Sequence, residues 1–176
     1  FLKNVMLKAR FKPYQLIFKQ ASGTSRGVLR QKKTYYLILE DENNQGIGEC
    51  GFFKGLSYDD RPDFEDKLHW VSDHINRGFK ELWAETLEFP SIQFGLEMAF
   101  KSLNSEHKFE LFPSNFIKGK AKIRINGLIW MGEKAFMKTQ IQTKIKQGFT
   151  CVKLKIGAID FEEELALLKY IRSQFS

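Results

Sequence analysis

Cys151-Val-Lys-Leu-Lys-Ile-Gly157 is an apolar run interrupted by a lysine at every second position. A strand turns alternate side chains to opposite faces, so Val152, Leu154 and Ile156 share one face. Lys153 and Lys155 share the other, roughly 7 Å apart. The flanking segments read as helices, which places this strand in a parallel sheet, where strands are usually apolar on both faces. Two ammonium groups on a covered sheet face would cost on the order of several kcal/mol each without an anionic partner. The simplest such partner is a substrate. A solvated edge strand is the better explanation of a lone Lys-x-Lys, a common tripeptide, so the rest of the chain has to decide.

Working outward, Ile123–Ile129 reads as a strand and Glu133–Gln147 as a helix with Met137, Ile141 and Ile145 in register. Gly148 follows at the position that favours a left-handed residue. The lysine strand is expected over Phe149–Ile156 and is closed by Gly157. Asp160 with Glu163 resembles a capping pair. Phe161, Leu165, Leu168, Ile171 and Phe175 then mark an amphipathic helix. This is β-α-β-α, the pattern of a parallel sheet with crossover helices. Two strands cannot bury their own faces, so the sheet is incomplete.

The first third differs. Val5, Leu7, Ala9 and Phe11 alternate with Met6, Lys8 and Arg10, and Pro13 is expected to interrupt the run. Gln20–Lys33, rich in Gly, Ser, Thr and Arg, reads as a loop. Thr34–Glu40 reads as a strand, Asp41–Gly46 as a polar turn and Ile47–Phe52 as the partner strand. Asp60 is the expected N-cap of a helix carrying Phe64, Leu68, Val71 and Ile75, which ends at Gly78. A second helix follows Pro90, with Leu96, Ala99, Phe100 and Leu103 on one face. Asn104–Gly119 reads as a linker.

The composition, 43% hydrophobic and 28% charged over 176 residues, suits a soluble globular protein. No apolar stretch is long enough to span a membrane, and no signal-peptide pattern is present, so a cytoplasmic location is expected. Cys50 and Cys151 stand far apart with no C-x-x-C spacing, which points to two buried free thiols in a reducing compartment. The net charge of +7 admits an anionic partner. Its excess lies between Lys118 and Lys155, mostly on what read as exposed faces. The chain begins at Phe1 rather than Met, so it is expected to be trimmed from a longer protein.

Ordered motifs extend the lysine signal. Ser22-Gly-Thr-Ser-Arg-Gly27, Gly48-Glu-Cys-Gly51, Gly55-Leu-Ser-Tyr-Asp-Asp60, Ile125-Asn-Gly-Leu-Ile-Trp-Met-Gly132 and Gly148-Phe-Thr-Cys-Val-Lys-Leu-Lys-Ile-Gly-Ala158 run through the whole chain. Together they resemble the o-succinylbenzoate synthase family of the Bacteroidetes type, within the muconate-lactonizing subgroup of the enolase superfamily. The resemblance implies an α+β capping domain over residues 1–118. The first two β/α units of an enolase-type (β/α) barrel, truncated, would follow over 119–176.

It also implies a reaction: dehydration of 2-succinyl-6-hydroxy-2,4-cyclohexadiene-1-carboxylate to o-succinylbenzoate through a metal-stabilised enediolate, in menaquinone biosynthesis. Lys155 matches the base that removes the proton α to the carboxylate and then protonates the departing hydroxyl, a syn elimination. Lys153 matches the neighbouring cation, which favours the neutral amine a base needs and stabilises developing anionic charge. The resemblance further implies a Lys or His base acting with one or two Mg²⁺ ions, as in enolase-superfamily sites. The family's acidic Mg²⁺ ligands would all follow Ser176, so the 176-residue segment is expected to be inactive alone.

Thr24, Ser25 and Arg26 lie in the loop that, by resemblance, reaches over the barrel mouth. An arginine there suits a carboxylate substrate, although a solvated loop explains it equally. Asn126, on the first barrel strand, is a candidate substrate contact or a strand-end polar group. Trp130 walls the pocket or packs between helices. His69, His74 and His107 read as capping-domain histidines. The nearest alternatives are an N-acylamino-acid racemase or dipeptide epimerase of the same superfamily. From another class comes a basic nucleic-acid-binding module using Lys118, Lys120, Lys122 and Arg124, for which no motif is present. The expected partner is a small-molecule carboxylate, with neither nucleic acid nor membrane. An open sheet edge at the lysine strand predicts aggregation or pairing.

Overall fold

A computed structural model describes residues 6–24, 27–107, 109–157 and 159–174. They form two compact units. One holds residues up to Ile17 together with Gln31–Lys120, and the other holds Phe18–Arg30 together with the chain from Ala121 onward.

The first unit carries most of a sheet of order β1-β2-β3, made of β1 (Lys8–Thr24), β2 (Gly27–Glu40) and β3 (Gln45–Cys50); the parts of β1 and β2 within residues 18–30 belong to the second unit. β1 runs straight through Pro13, contrary to expectation. It is an edge strand, where a residue without an N–H need not break the ladder. Gln20–Lys33 is likewise not a loop, because β1 continues to Thr24 and β2 resumes at Gly27. This hairpin arm is exposed along most of Gly27–Lys33, so it carries no apolar alternation to betray its strands. β2 and β3 pair antiparallel from Tyr35↔Cys50 to Glu40↔Gln45. Between them the Asp41 carboxylate accepts the backbone N–H groups of Asn43 (2.7 Å) and Asn44 (2.6 Å). Those donors hold its carboxyl below the usual range.

The helices of this unit are α1 (Phe64–Asp73), α2 (Phe79–Glu85) and α3 (Pro90–Leu103), with a 3₁₀ turn at Ile75–Arg77. Phe64, Leu68, Val71 and Ile75 are buried together, as their spacing predicts. The N-cap of α1 is Asp63 rather than Asp60. The Asp60 carboxylate accepts the Gly55 N–H at 2.6 Å and closes the preceding turn instead. α2 escaped the sequence reading because its seven residues contribute one fully buried side chain, Leu82.

Asp59 is 1% exposed, and its charge is met by the start of α3. It accepts the Ser91 N–H at 2.7 Å and the Ser91 hydroxyl at 3.1 Å, where the helix dipole favours an anion. Asp59→Ala leaves both donors without this partner. We expect a loss of about 1–3 kcal/mol, read as a lower denaturation midpoint of the full chain.

The second unit holds β4 (Gly127–Ile129), α4 (Lys134–Lys146), β5 (Val152–Leu154) and α5 (Phe161–Gln174). β4 and β5 pair in parallel, with Gly127↔Val152, Leu128↔Lys153 and Ile129↔Leu154 in register. Both strands are shorter than expected, and residues 121–126 are exposed and outside any strand. α4 ends as its sequence dictates. The Gly148 N–H donates to Ile145 O (2.9 Å) and the Phe149 N–H to Lys144 O (3.1 Å). Gly148 takes the left-handed conformation this motif requires, φ 81°.

α5 opens at Asp160, whose Oδ1 accepts the Glu162 N–H at 2.9 Å. Glu163, the expected second half of a capping pair, lies 3.5 Å from Lys134 Nζ. The buried face of α5 is Glu164, Leu167 and Ile171, one position before the expected Leu165 and Leu168 and shared at Ile171; Phe161 and Leu168 are exposed. Phe175 lies outside the described residues. Cys50 is buried, and its thiol is pushed far up by desolvation and by the nearby Asp59 and Glu49 charges. Cys151 is exposed, which corrects the expectation of two buried thiols.

Candidate functional site

The site begins with the two faces of the β4–β5 pair. Val152 and Leu154 pack with Ile129, Met137, Ile141, Leu167 and Ile171 in one apolar cluster, so α4 and α5 cover that face. Leu128 and Lys153 are cross-strand partners on the other face. The alternation foreseen in the sequence therefore holds through the strand. It fails only at Ile156, which lies past the end of β5 and is 58% exposed.

Lys155 follows β5 directly, and Trp130 follows β4 directly. Extending the register by one residue makes them partners, and Lys155 Nζ does lie 5.6 Å from the centroid of the Trp130 ring. Lys153 is exposed and Lys155 is half-buried. The lysines thus stand on the helix-free face of a parallel pair, at and just beyond its C-terminal end. In open α/β sheets and barrels that end carries the chemistry.

Two further side chains hold this end in place. Gln140 of α4 accepts the Trp130 N–H at 2.9 Å and donates to Trp130 O at 3.0 Å. Glu164 of α5, 6% exposed, accepts the N–H of Gly157, two residues past Lys155. Neither was foreseen. Gln140 reads as a helix surface residue, and Glu164 as one of three acids in a first turn, where acids are ordinary.

The other candidates are placed differently. Asn126 is exposed and precedes β4. It lies about 13 Å along the strand direction from Trp130, so it and Lys155 sit at opposite ends of the pair. Thr24 ends β1, in the arm that belongs to the same compact unit as the lysines. Ser25 and Arg26 lie outside the described residues.

Among the described residues no group of three or more His, Cys, Asp or Glu side chains could hold a metal ion. An open groove of about 890 Å³ lies in the first unit, floored by Phe79, Phe100, Leu111 and Ile117. The Lys101 and Glu97 on its wall are 3.8 Å apart. Among the described residues no helix is long and apolar enough to cross a membrane.

No protein-family model matches the chain. It is 37% identical to the o-succinylbenzoate synthase of Desulfotalea psychrophila, in an alignment covering 97% of this chain and 55% of that protein. The crystal structure of MenC from Desulfotalea psychrophila LSv54 superposes with a TM-score of 0.75 at 31% identity, over 97% of this chain and 54% of that one. An enolase family member from Agrobacterium tumefaciens with homology to dipeptide epimerases gives 0.71 at 15% identity, over 97% and 52%. The o-succinylbenzoate synthase from Thermosynechococcus elongatus BP-1, complexed with Mg in its active site, gives 0.69 at 23% identity, over 96% and 49%. The chain spans about half the length of these relatives, and over that length it has the fold of enolase-superfamily proteins and a sequence similar to o-succinylbenzoate synthase.

Proposed function

We propose that this chain is part of an o-succinylbenzoate synthase of the Bacteroidetes type, in the muconate-lactonizing subgroup of the enolase superfamily. The observation that carries the reading is the lysine pair on the helix-free face of β5, in a chain 37% identical to a named o-succinylbenzoate synthase. Lys155, as the free amine, takes the proton from the ring carbon that bears the carboxylate. The bond from the adjacent carbon to its hydroxyl then breaks. The ammonium of Lys155 returns the proton to the departing oxygen, which leaves as water. The ring becomes aromatic, and both proton transfers occur on one face. Lys153 lies one side-chain repeat away and places a positive charge beside the carboxylate as electron density moves onto it.

The Mg²⁺ expected of the family would add a second positive charge at that carboxylate when bound. Its ligands are sought outside the described residues. Thr24, Ser25 and Arg26 are retained as candidate contacts of the succinyl carboxylate, and Asn126 as a weaker one. In this reading residues 1–118 are the capping domain and 119–176 the start of the barrel. The segment alone is inactive, and the enzyme works in the cytoplasm in menaquinone biosynthesis.

The dipeptide-epimerase neighbour, at 15% identity, shares the fold and does not by itself favour that reaction. The test is conversion of the cyclohexadiene, with Mg²⁺, by the full-length protein of which this segment is part, called the full chain throughout. Lys153→Ala should lower kcat by about 10²-fold, as loss of one aimed charge does, with partial recovery in Lys153→Arg. Racemisation of N-acylamino acids without dehydration would replace this reading. So would salt-sensitive nucleic-acid binding without catalysis.

A further inference from the structure

β4 ends at Ile129, so the backbone N–H and C=O of Trp130 have left the strand. Both are taken up by one side-chain amide, that of Gln140, at 2.9 and 3.0 Å. A primary amide offers an acceptor and a donor side by side, as the backbone of a neighbouring strand does. Gln140 thus extends the strand geometry by one residue, to the place where the indole sits. The Lys155 amine lies 5.6 Å from the centroid of that indole. Lys155 itself has left β5, so no ladder fixes its position. An indole face attracts an ammonium at this range, and Trp130 is 44% exposed.

We propose that Trp130, anchored by Gln140, is the positioning residue that sets where the Lys155 amine rests. The inference builds on the base assignment above and concerns how that base is aimed. A base must sit within hydrogen-bond reach of its proton, and a misplacement of about 1 Å can cost 10²-fold. The ring acts on Lys155 rather than on substrate, so its loss should appear in turnover more than in apparent affinity.

The experiment uses the full chain with Mg²⁺. Trp130→Leu should lower kcat about 10-fold or more with KM within about twofold, while Trp130→Phe, which keeps a π-face, should retain activity within about threefold. Gln140→Leu should lower kcat in the same sense. The double variant Trp130→Leu with Gln140→Leu should be no worse than Trp130→Leu, because both act through one ring.

A second readout is independent of catalysis: the rate at which an amine-reactive acylating reagent labels Lys155, read by peptide mass mapping. It should rise in Trp130→Leu and stay near wild type in Trp130→Phe. Equal labelling and turnover in wild type and Trp130→Leu would overturn the proposal. So would a Trp130→Phe variant as impaired as Trp130→Leu, or a rise in KM at constant kcat. If Lys155→Ala were fully active, the functional reading would fall, and the labelling comparison would still decide the placement of the amine.

Discussion

Lys155→Ala in the full chain should lower the dehydration rate by about 10⁴-fold, the upper range for removal of a general base. The same amine serves both halves of the elimination, so its loss removes the acid along with the base. Lys155→Arg should be equally inactive. A guanidinium keeps the positive charge but does not lose its proton in proteins, so it cannot act as a base. The pair of variants separates base chemistry from charge alone. A Lys155→Arg variant with substantial activity would show that position 155 supplies charge only. Lys153 should behave in the opposite way, with arginine restoring part of what alanine removes.

The second large effect concerns stability of the first unit. α3 lies against β3 with glycine on both sides of the contact. A Cβ at Gly48 would sit 1.8 Å from the backbone oxygen of Gly95, and one at Gly95 would sit 2.2 Å from Cys50 Sγ. Such contacts cannot be absorbed without separating helix from sheet. Gly48→Ala and Gly95→Ala should each cost about 3 kcal/mol, the upper end of ordinary overpacking.

The two should differ in rescue. The Gly95 clash is mainly with a side-chain sulfur, so Cys50→Ala should recover part of the loss. The Gly48 clash is with backbone, and Cys50→Ala should leave it unchanged. Denaturant midpoints of the full chain with single and double variants give the comparison. Equal stability of Gly48→Ala and wild type would refute the close packing.

Much of this architecture was legible because local chemistry and tertiary packing agree. α4 reads correctly from end to end. Met137 and Ile141 face the core at helical spacing, and Gly148 supplies the left-handed residue that closes the helix. The lysine strand was legible for a similar reason: period-two alternation places Lys153 opposite the face that carries Val152 and Leu154. α5 was misread by one position. Its apolar residues Phe161, Leu165, Leu167, Leu168 and Ile171 cover more than one face, and sequence period cannot choose between them when a carboxylate, Glu164, takes a place in the buried one.

Pro13 and the arm were misread because an edge strand and an exposed hairpin escape the constraints that make strands recognisable. Of the candidate site, the sequence names the two lysines and leaves Trp130 between walling the pocket and packing between helices. Gln140 could not be named in advance, since its role depends on where β4 ends, which no side-chain pattern announces. Asn126, expected on the first barrel strand, lies just before β4, whose shortness leaves it outside the pair and away from Lys155.

The claim at the centre of this account is that Lys155 removes the proton from the carbon α to the substrate carboxylate. It is tested by giving the full chain, with Mg²⁺, a cyclohexadiene substrate carrying deuterium at that carbon and following deuterium release into water. The wild type should release the label in step with product and turn over the labelled substrate more slowly than the unlabelled one. Lys155→Ala should release none above background while Lys153→Arg still does. Release of deuterium by Lys155→Ala at the wild-type rate would contradict the assignment.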